Sequence, residues 1–208
     1  MAPRRTSTAL ACRERGEGAP PTGPFWRRTS DGDPALSGPL PMKEFERRRD
    51  SFYRPYHEAL RSLVESTRAE FGYAIVLCAH SMPSRGKPGT ADAGRLRADV
   101  VPGTRGKTTA SPDVIGASER LASKFGWSLR HNQPYRGGFT TGHYGRPAQG
   151  YHALQIELSR ALYMDEGTLV EHERMSQAKS YCAELVMGLS RLELPAISKK
   201  RQVDGPIS

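Results

Sequence analysis

A histidine and an acid stand at two apolar segments of this 208-residue chain, and both residue types can take part in hydrolysis. His80 comes directly after the apolar segment 73–79, which predicts a buried strand. Ligands of open α/β sheets bind beyond the carboxyl ends of the strands, where His80 would lie. Glu157 lies within a second apolar segment, 151–159. An imidazole at a strand end can ligate a metal, and a carboxylate in an apolar cleft suits a general base.

Each assignment has an ordinary structural alternative. His80 could be a hydrogen-bonded histidine at the edge of the core, because one histidine does not make a metal site. Gln155, Glu157 and Ser159 alternate with apolar residues, so this polar set could simply face solvent. The residue pattern leaves both alternatives open.

A long loop over residues 132–150 supplies further candidate groups. Its glycines allow the backbone to approach a ligand closely, and Asn132 and Tyr135 add polar side chains. The loop could close over a small anionic ligand, or it could be only structural. Arg105, in a separate segment, carries a guanidinium that can clamp a carboxylate in bidentate fashion.

The elements that position these residues alternate between helices and strands. Apolar periodicity and capping residues predict helices over 41–71, 111–125 and 167–192, and strands over 73–79, 99–101, 127–131 and 151–159. Pro55 should kink or split the first helix. This order predicts an α/β fold with a mixed sheet flanked by helices.

Composition limits the function classes. The net charge is +9, but the basic residues are mostly scattered arginines, which favours a solvated basic face over a nucleic-acid-binding module. Three widely separated cysteines without a CxxC pair favour reducing cytoplasm. No apolar run approaches the roughly 18–20 residues of a membrane span. Residues 1–41 are predicted to be irregular, 42–195 to form the α/β domain, and 196–208 to be a frayed tail.

Motifs in a fixed order resemble the N-formylglutamate amidohydrolases (deformylases). They are Tyr-Arg-Pro-Tyr-His at 53–57, His-Ser-Met at 80–82, Gly-Thr-Arg at 103–105, Asn-Gln-Pro-Tyr-Arg-Gly-Gly at 132–138 and His-Ala-Leu-Gln-Ile-Glu at 152–157. The resemblance runs from Gly38 to Leu192. It implies a zinc-dependent hydrolase of N-formyl-L-glutamate, or of a similar N-acyl amino acid, in histidine degradation. The implied fold is zinc carboxypeptidase-like (phosphorylase/hydrolase-like).

Carried over by position, the resemblance implies a role for each candidate residue. His80 would be a zinc ligand and Glu157 the general base that takes a proton from water. The implied substrate-binding residues are Arg105, Asn132, Tyr135 and Gly138.

The chain also departs from the family pattern. The family's first two zinc ligands, a histidine and a downstream acid, precede the region that these motifs cover, and residues 1–41 contain no histidine. Cys78 stands where the family usually has Asp. We therefore expect a family member that lacks its N-terminal region and has an incomplete zinc site. It would be either an inactive scaffold or an enzyme that recruits missing ligands from other histidines, namely His57, His131, His143 and His152.

Overall fold

Three strands form one mixed sheet in the computed structural model, which describes residue 29 and residues 33–195. β1 (Ala74–Met82) runs parallel to β3 (Tyr151–Ser159), and β2 (Val100–Gly103) pairs with β3 in antiparallel orientation. The strand order is β1-β3-β2, so β3 is the central strand. The predicted α/β class with a mixed sheet flanked by helices is confirmed.

One face of the sheet carries the main apolar core. Leu154, Ile156 and Leu158 of β3 belong to this core, which two helices cover, α3 (Pro112–Lys124) and α5 (Met175–Ser190). Successive side chains of a strand point to opposite faces, so the odd-numbered residues of β3 face the other way. The main core therefore occupies one face of the sheet, and the odd-numbered side chains of β3 lie outside it.

The opposite face is only partly covered by helices. Val64 of α2 (Arg54–Phe71) and Tyr144 of α4 (Phe139–Tyr144) pack with Ala74 near the beginning of β1. This second, smaller cluster covers the start of the strands. The carboxyl-terminal half of β1 becomes exposed from Ala79 to Ser81, and this is where the candidate site lies.

The first predicted helix is divided as expected at its proline. α1 (Met42–Arg48) leads into a π-helical turn (Arg49–Tyr53), and α2 begins at Arg54. Pro55 has no N–H to offer to the carbonyl four residues earlier, so the α-helical hydrogen-bond pattern is interrupted there. Helical backbone angles nevertheless continue through the junction. The helix therefore passes through one wider, π-helical turn and does not break.

Three sequence predictions need correction. Segment 127–131 is not a regular strand, because it forms only a single bridge between Leu129 and Val100. The predicted loop 132–150 contains α4 and a short 3₁₀ turn (Pro147–Gln149). The last helix begins at Met175 and not near 167, because the Asp165 carboxylate accepts N–H groups of Gly167 and Thr168 and holds a turn.

The predictions for the two ends fall largely outside the described residues. These are the irregular segment 1–41, of which residues 1–28 and 30–32 are not described, and the tail 196–208. Within the part of the chain that the structure describes, no helix combines the length and apolar character that a bilayer crossing requires.

Candidate functional site

His80 and Glu157 are direct partners on neighbouring strands. Their Cα positions are in register between β1 and β3, so both side chains project from the same face of the sheet. That face is the one that the main apolar core does not occupy. His80 is exposed, whereas Glu157 is only 5% exposed. The pair therefore combines an accessible imidazole with a buried carboxylate.

Burial controls the protonation of Glu157. Burial raises the pKa of this carboxyl above its usual value, and the nearby His80, Gln155, Arg97 and Arg160 lower it by a smaller amount. Gln155 and Ser159 are buried as well, so the alternative that this polar set faces solvent is wrong. A buried carboxylate whose pKa is raised has the character of a general base.

Gln155 connects Glu157 to the glycine-rich loop. Its Nε2 donates a hydrogen bond to Glu157 Oε1 at 2.9 Å, and its Oε1 accepts the backbone N–H of Gly138 at 3.0 Å. Gly138, a predicted substrate-binding residue, thus contributes a backbone group that fixes the loop over the site. The sequence motifs assigned no role to Gln155. Its position two residues before Glu157, on the same strand face, is the signal that could have identified it.

Arg97 lies near Glu157, where its charge lowers the pKa of that carboxyl, and it connects Asp92 to Tyr135. Its side chain is 4% exposed, and its Nε lies 2.7 Å from Asp92 Oδ2. Its Nη1 donates to the Tyr135 hydroxyl at 3.2 Å, and the guanidinium lies 5.3 Å from the centre of the Tyr135 ring. The hydrogen bond from Arg97 lowers the pKa of Asp92 to about 2, so this pair stays ionised. Nothing in the residue pattern indicated Arg97, which lies in a loop.

Asn132 and Arg105 join two loops to each other. Asn132 has a left-handed backbone with φ of 59°, and its Oδ1 accepts the N–H groups of Thr104 at 3.0 Å and Gly106 at 3.1 Å. Arg105 is exposed, and its Nη1 donates to the carbonyl of Gly137 at 3.3 Å. The structure therefore gives Asn132 a loop-anchoring role, and direct contact of Asn132 or Arg105 with substrate stays a prediction.

We expect Asn132→Ala to destabilise the fold by about 2–3 kcal/mol. The variant loses an acceptor for two backbone N–H groups, at roughly 1 kcal/mol each, and it loses the side-chain hydrogen bonds that offset the strain of a left-handed conformation. Urea unfolding followed by circular dichroism measures this loss. Asn132→Asp is the matched control, because it keeps the acceptor oxygen and tolerates positive φ. Equal stability of the alanine and aspartate variants would contradict the anchoring role.

A sequence model of the family described as N-formylglutamate amidohydrolase matches residues 3–164. The chain belongs to the N-formylglutamate amidohydrolase family. The match begins before Gly38 and ends before α5, so it includes more of the N-terminal segment than the motifs indicated and none of the C-terminal helix.

Two curated relatives are similar to this chain. They are the N-formylglutamate deformylases of Pseudomonas putida and Pseudomonas aeruginosa, each 36% identical, over 151 and 139 residues. The alignments cover 70% and 65% of this chain, and 54% and 51% of the relatives. The chain therefore spans about half the length of these relatives.

Solved structures support the same family fold. The N-formylglutamate amidohydrolase of Ralstonia eutropha JMP134 superimposes with a TM-score of 0.64 and 33% identity, over 76% of this chain and 56% of that chain. A gene product of Agrobacterium tumefaciens has a TM-score of 0.55 at 20% identity, over 79% of this chain and 61% of that chain. The second likeness shows the fold alone.

In this member of the N-formylglutamate amidohydrolase family, the four histidines considered as additional ligands do not complete a metal site with His80. His131 Nε2 lies 2.7 Å from Glu119 Oε1, and His152, on the core face of the sheet, accepts the N–H of Ser111. His57 and His143 form an aromatic cluster with Tyr144 instead. The expectation that these histidines supply the missing ligands is wrong for the described residues, which contain no group of three metal-binding side chains.

Cys78 lies on the same face as His80, two residues earlier on β1. Burial raises the pKa of its thiol, which disfavours the thiolate that a metal would require. Catalytic zinc normally has three protein ligands. The described residues of this family member offer His80 and Glu157, and so do not by themselves fit a complete zinc site.

Proposed function

We propose that this family member hydrolyses N-formyl-L-glutamate, or a closely similar N-acyl amino acid, to formate and L-glutamate. The observation that carries the proposal is the cross-strand pair of an exposed His80 and a buried Glu157 at one open sheet face. The names of the two Pseudomonas relatives support the substrate class. The small anionic substrate is favoured over nucleic acid, because the candidate acid Glu157 is buried and the basic residues of the chain are mostly scattered.

Glu157 is the general base in this proposal. Its Oε1 is held by Gln155, which leaves Oε2 to take a proton from the attacking water and to pass it to the leaving amine. Water adds to the formyl carbon, the C–N bond breaks, and formate and the free amino group result. Arg105 is the candidate partner for a substrate carboxylate, since its guanidinium is exposed at the loop 136–138 that Gly138 and Gln155 connect to the base.

The described residues supply one proposed zinc ligand. His80 would supply one ligand, and the remaining ligands would come from residues outside those that the structure describes. We derive no catalytic step through the metal, because the described donors do not complete its coordination.

We also propose that the sheet corresponds to the zinc carboxypeptidase-like architecture. Reducing cytoplasm is the proposed compartment, and the free thiols of Cys78 and Cys182 fit it.

A second candidate is a catalytically inactive family member that keeps the scaffold. It is favoured because the described residues contain no group of three side chains that could hold a metal. Incubation of the purified chain with zinc and N-formyl-L-glutamate, followed by quantification of formate, separates the two candidates. Formate release above that of a blank without the chain supports the hydrolase. Formate at the background level, from a chain shown to be folded by circular dichroism, refutes the hydrolase in favour of the scaffold.

We expect His80→Ala to weaken zinc binding at least about tenfold, because loss of a direct ligand should cost no less than loss of an outer-shell partner. Isothermal titration of the native chain and the variant with zinc chloride measures the effect. His143→Ala is the matched control, since His143 packs in the aromatic cluster and not beside Glu157. Unchanged zinc affinity in the His80 variant would remove His80 from the proposed metal site.

A further inference from the structure

The peptide unit between Gly137 and Gly138 is hydrogen-bonded on both sides. Arg105 Nη1 donates to the carbonyl of Gly137 at 3.3 Å, and the N–H of Gly138 donates to Gln155 Oε1 at 3.0 Å. In a planar trans peptide the carbonyl and the N–H point in opposite directions, so a bond that fixes one of them also fixes the other. The two hydrogen bonds together therefore set the direction of the Gly138 N–H.

Close packing also restricts the backbone at Gly137. This residue has a left-handed backbone with φ of 100°, and a β-carbon there would lie 3.0 Å from the Thr141 side chain of α4. On the other side, a β-carbon at Gly103, the last residue of β2, would lie 2.7 Å from the Gly137 nitrogen. The loop backbone fills the space between β2 and α4, so it has little room to turn its peptide groups.

The direction of the Gly138 N–H decides the orientation of the Gln155 amide. A backbone N–H can only donate, so the amide atom that faces it must be the oxygen. The nitrogen of the same amide then faces Glu157, and Nε2 lies 2.9 Å from Glu157 Oε1. An amide nitrogen can also only donate, so Oε1 of Glu157 must be the accepting atom. Gln155 is 6% exposed, so water competes little for either hydrogen bond.

We propose that Gln155 is a positioning residue, oriented by the peptide unit 137–138, that holds the Glu157 carboxylate in one orientation; this inference rests on the proposed role of Glu157 as general base. Within residues 33–195, Gln155 forms the only hydrogen bond to the Glu157 side chain. The terminal torsion of a glutamate has a broad, roughly two-fold preference, so an unheld carboxylate readily turns. With Oε1 held, the same oxygen, Oε2, is always the one left free for the attacking water.

The kinetic test uses Gln155→Met, which keeps the length of the side chain and removes both hydrogen bonds. A base whose orientation is no longer fixed should lower the kcat of formate release about 10- to 100-fold and leave KM nearly unchanged. Gln177→Met, at an exposed position of α5, is the matched control and should leave kcat unchanged. In a native chain that releases formate, an unchanged kcat in Gln155→Met, or a loss confined to KM, overturns the positioning role.

A spectroscopic test does not depend on turnover. In proton–nitrogen correlation spectra of the full chain, Glu157→Leu removes the acceptor of Gln155 Nε2, so it should shift the amide resonance of Gly138 through the connecting amide. In a Gln155→Met background, the same substitution should leave the Gly138 resonance in place. The Gly138 N–H should also exchange with solvent at least about fivefold faster in Gln155→Met than in the native chain, because it loses its acceptor.

The two measurements separate the role of Gln155 from the proposed function. A native chain that releases no formate refutes the hydrolase, and the spectra then decide alone whether Gln155 connects Gly138 to Glu157. An equal shift of the Gly138 resonance in both backgrounds means that the loss of the carboxylate acts through space, and it overturns the proposal. If Gln155→Met does not fold, the Glu157→Leu spectrum decides: a shift at Gly138 supports the connection, and an unchanged resonance refutes it.

Discussion

Glu157→Gln should lower the rate of formate release from N-formyl-L-glutamate by about 10²- to 10⁴-fold at saturating substrate, the usual contribution of a general base. The amide has nearly the same shape as the carboxyl group but cannot accept the proton of the attacking water. Its carbonyl oxygen can still accept the hydrogen bond from Gln155, so the loop at Gly138 should stay in place. The expected loss is therefore in kcat, with KM little changed.

The matched control is Glu70→Gln on the exposed end of α2, which removes the same charge at a distance from the buried Glu157 carboxyl. It should leave turnover within about twofold of native. Native-like turnover in Glu157→Gln would exclude Glu157 as the base. An equal loss in both variants would point to the net charge of the chain instead.

The same substitution should change how stability depends on pH. Burial raises the pKa of Glu157 in the folded chain, so the folded state binds this proton more tightly than the unfolded state. Stability from this group is therefore present at low pH and is lost as the pH rises from the ordinary carboxyl pKa through the raised one. Glu157→Gln should match native stability at acidic pH and exceed it at neutral pH. Thermal unfolding at a series of pH values measures the difference.

The second large effect is expected at Gly145, where the backbone φ is −79° and any residue could adopt the conformation. Gly145→Ala should nevertheless destabilise the fold by about 1–3 kcal/mol or more. A β-carbon there would contact the Thr109 side chain and lie 2.7 Å from the carbonyl oxygens of Thr109 and Thr141. The added β-carbon would therefore push Thr109 away. Thr109 forms hydrogen bonds with Ala153 of the central strand through both its hydroxyl and its carbonyl, so a shift of Thr109 would also disturb β3.

Gly188→Ala is the matched control for Gly145→Ala. Gly188 lies inside α5, and a β-carbon there meets no atom within 4 Å. Alanine should stabilise that helix by about 0.5–1 kcal/mol relative to glycine. Urea unfolding of the two variants should therefore give shifts of opposite sign. A destabilisation of similar size in both would mean that the steric contacts at Gly145 do not decide the result.

The sequence predicted correctly the helix ends that are determined by neighbouring residues. Gly72 ends α2 in the left-handed conformation, and Ser111 caps α3 through its side chain, as the capping rules require. The apolar segments that became β1 and β3 were also recognisable. Their parallel pairing and exact register were not predictable from the pattern, since long-range contacts determine them.

The candidate site was predictable in part, for the same reason. His80 and Glu157 were visible because each is a reactive residue type in an apolar segment. Arg97 was not identified, and the loop-anchoring role of Asn132 was not predicted, because both roles come from contacts between loops that lie far apart in the chain. Segment 127–131 shows the same limit, since it follows the edge of β2 without enough regular pairing to form a strand.

The division of β3 into two faces has an evolutionary consequence. Leu154, Ile156 and Leu158 lie in the main core, while Gln155 and Glu157 take part in the polar contacts of the other face. Under the proposed function, substitutions at the first set act on folding and those at the second set act on chemistry, although neighbouring codons encode them. Selection can therefore adjust or abandon the reaction without rebuilding the scaffold, which would let the fold persist in descendants whose catalysis has changed.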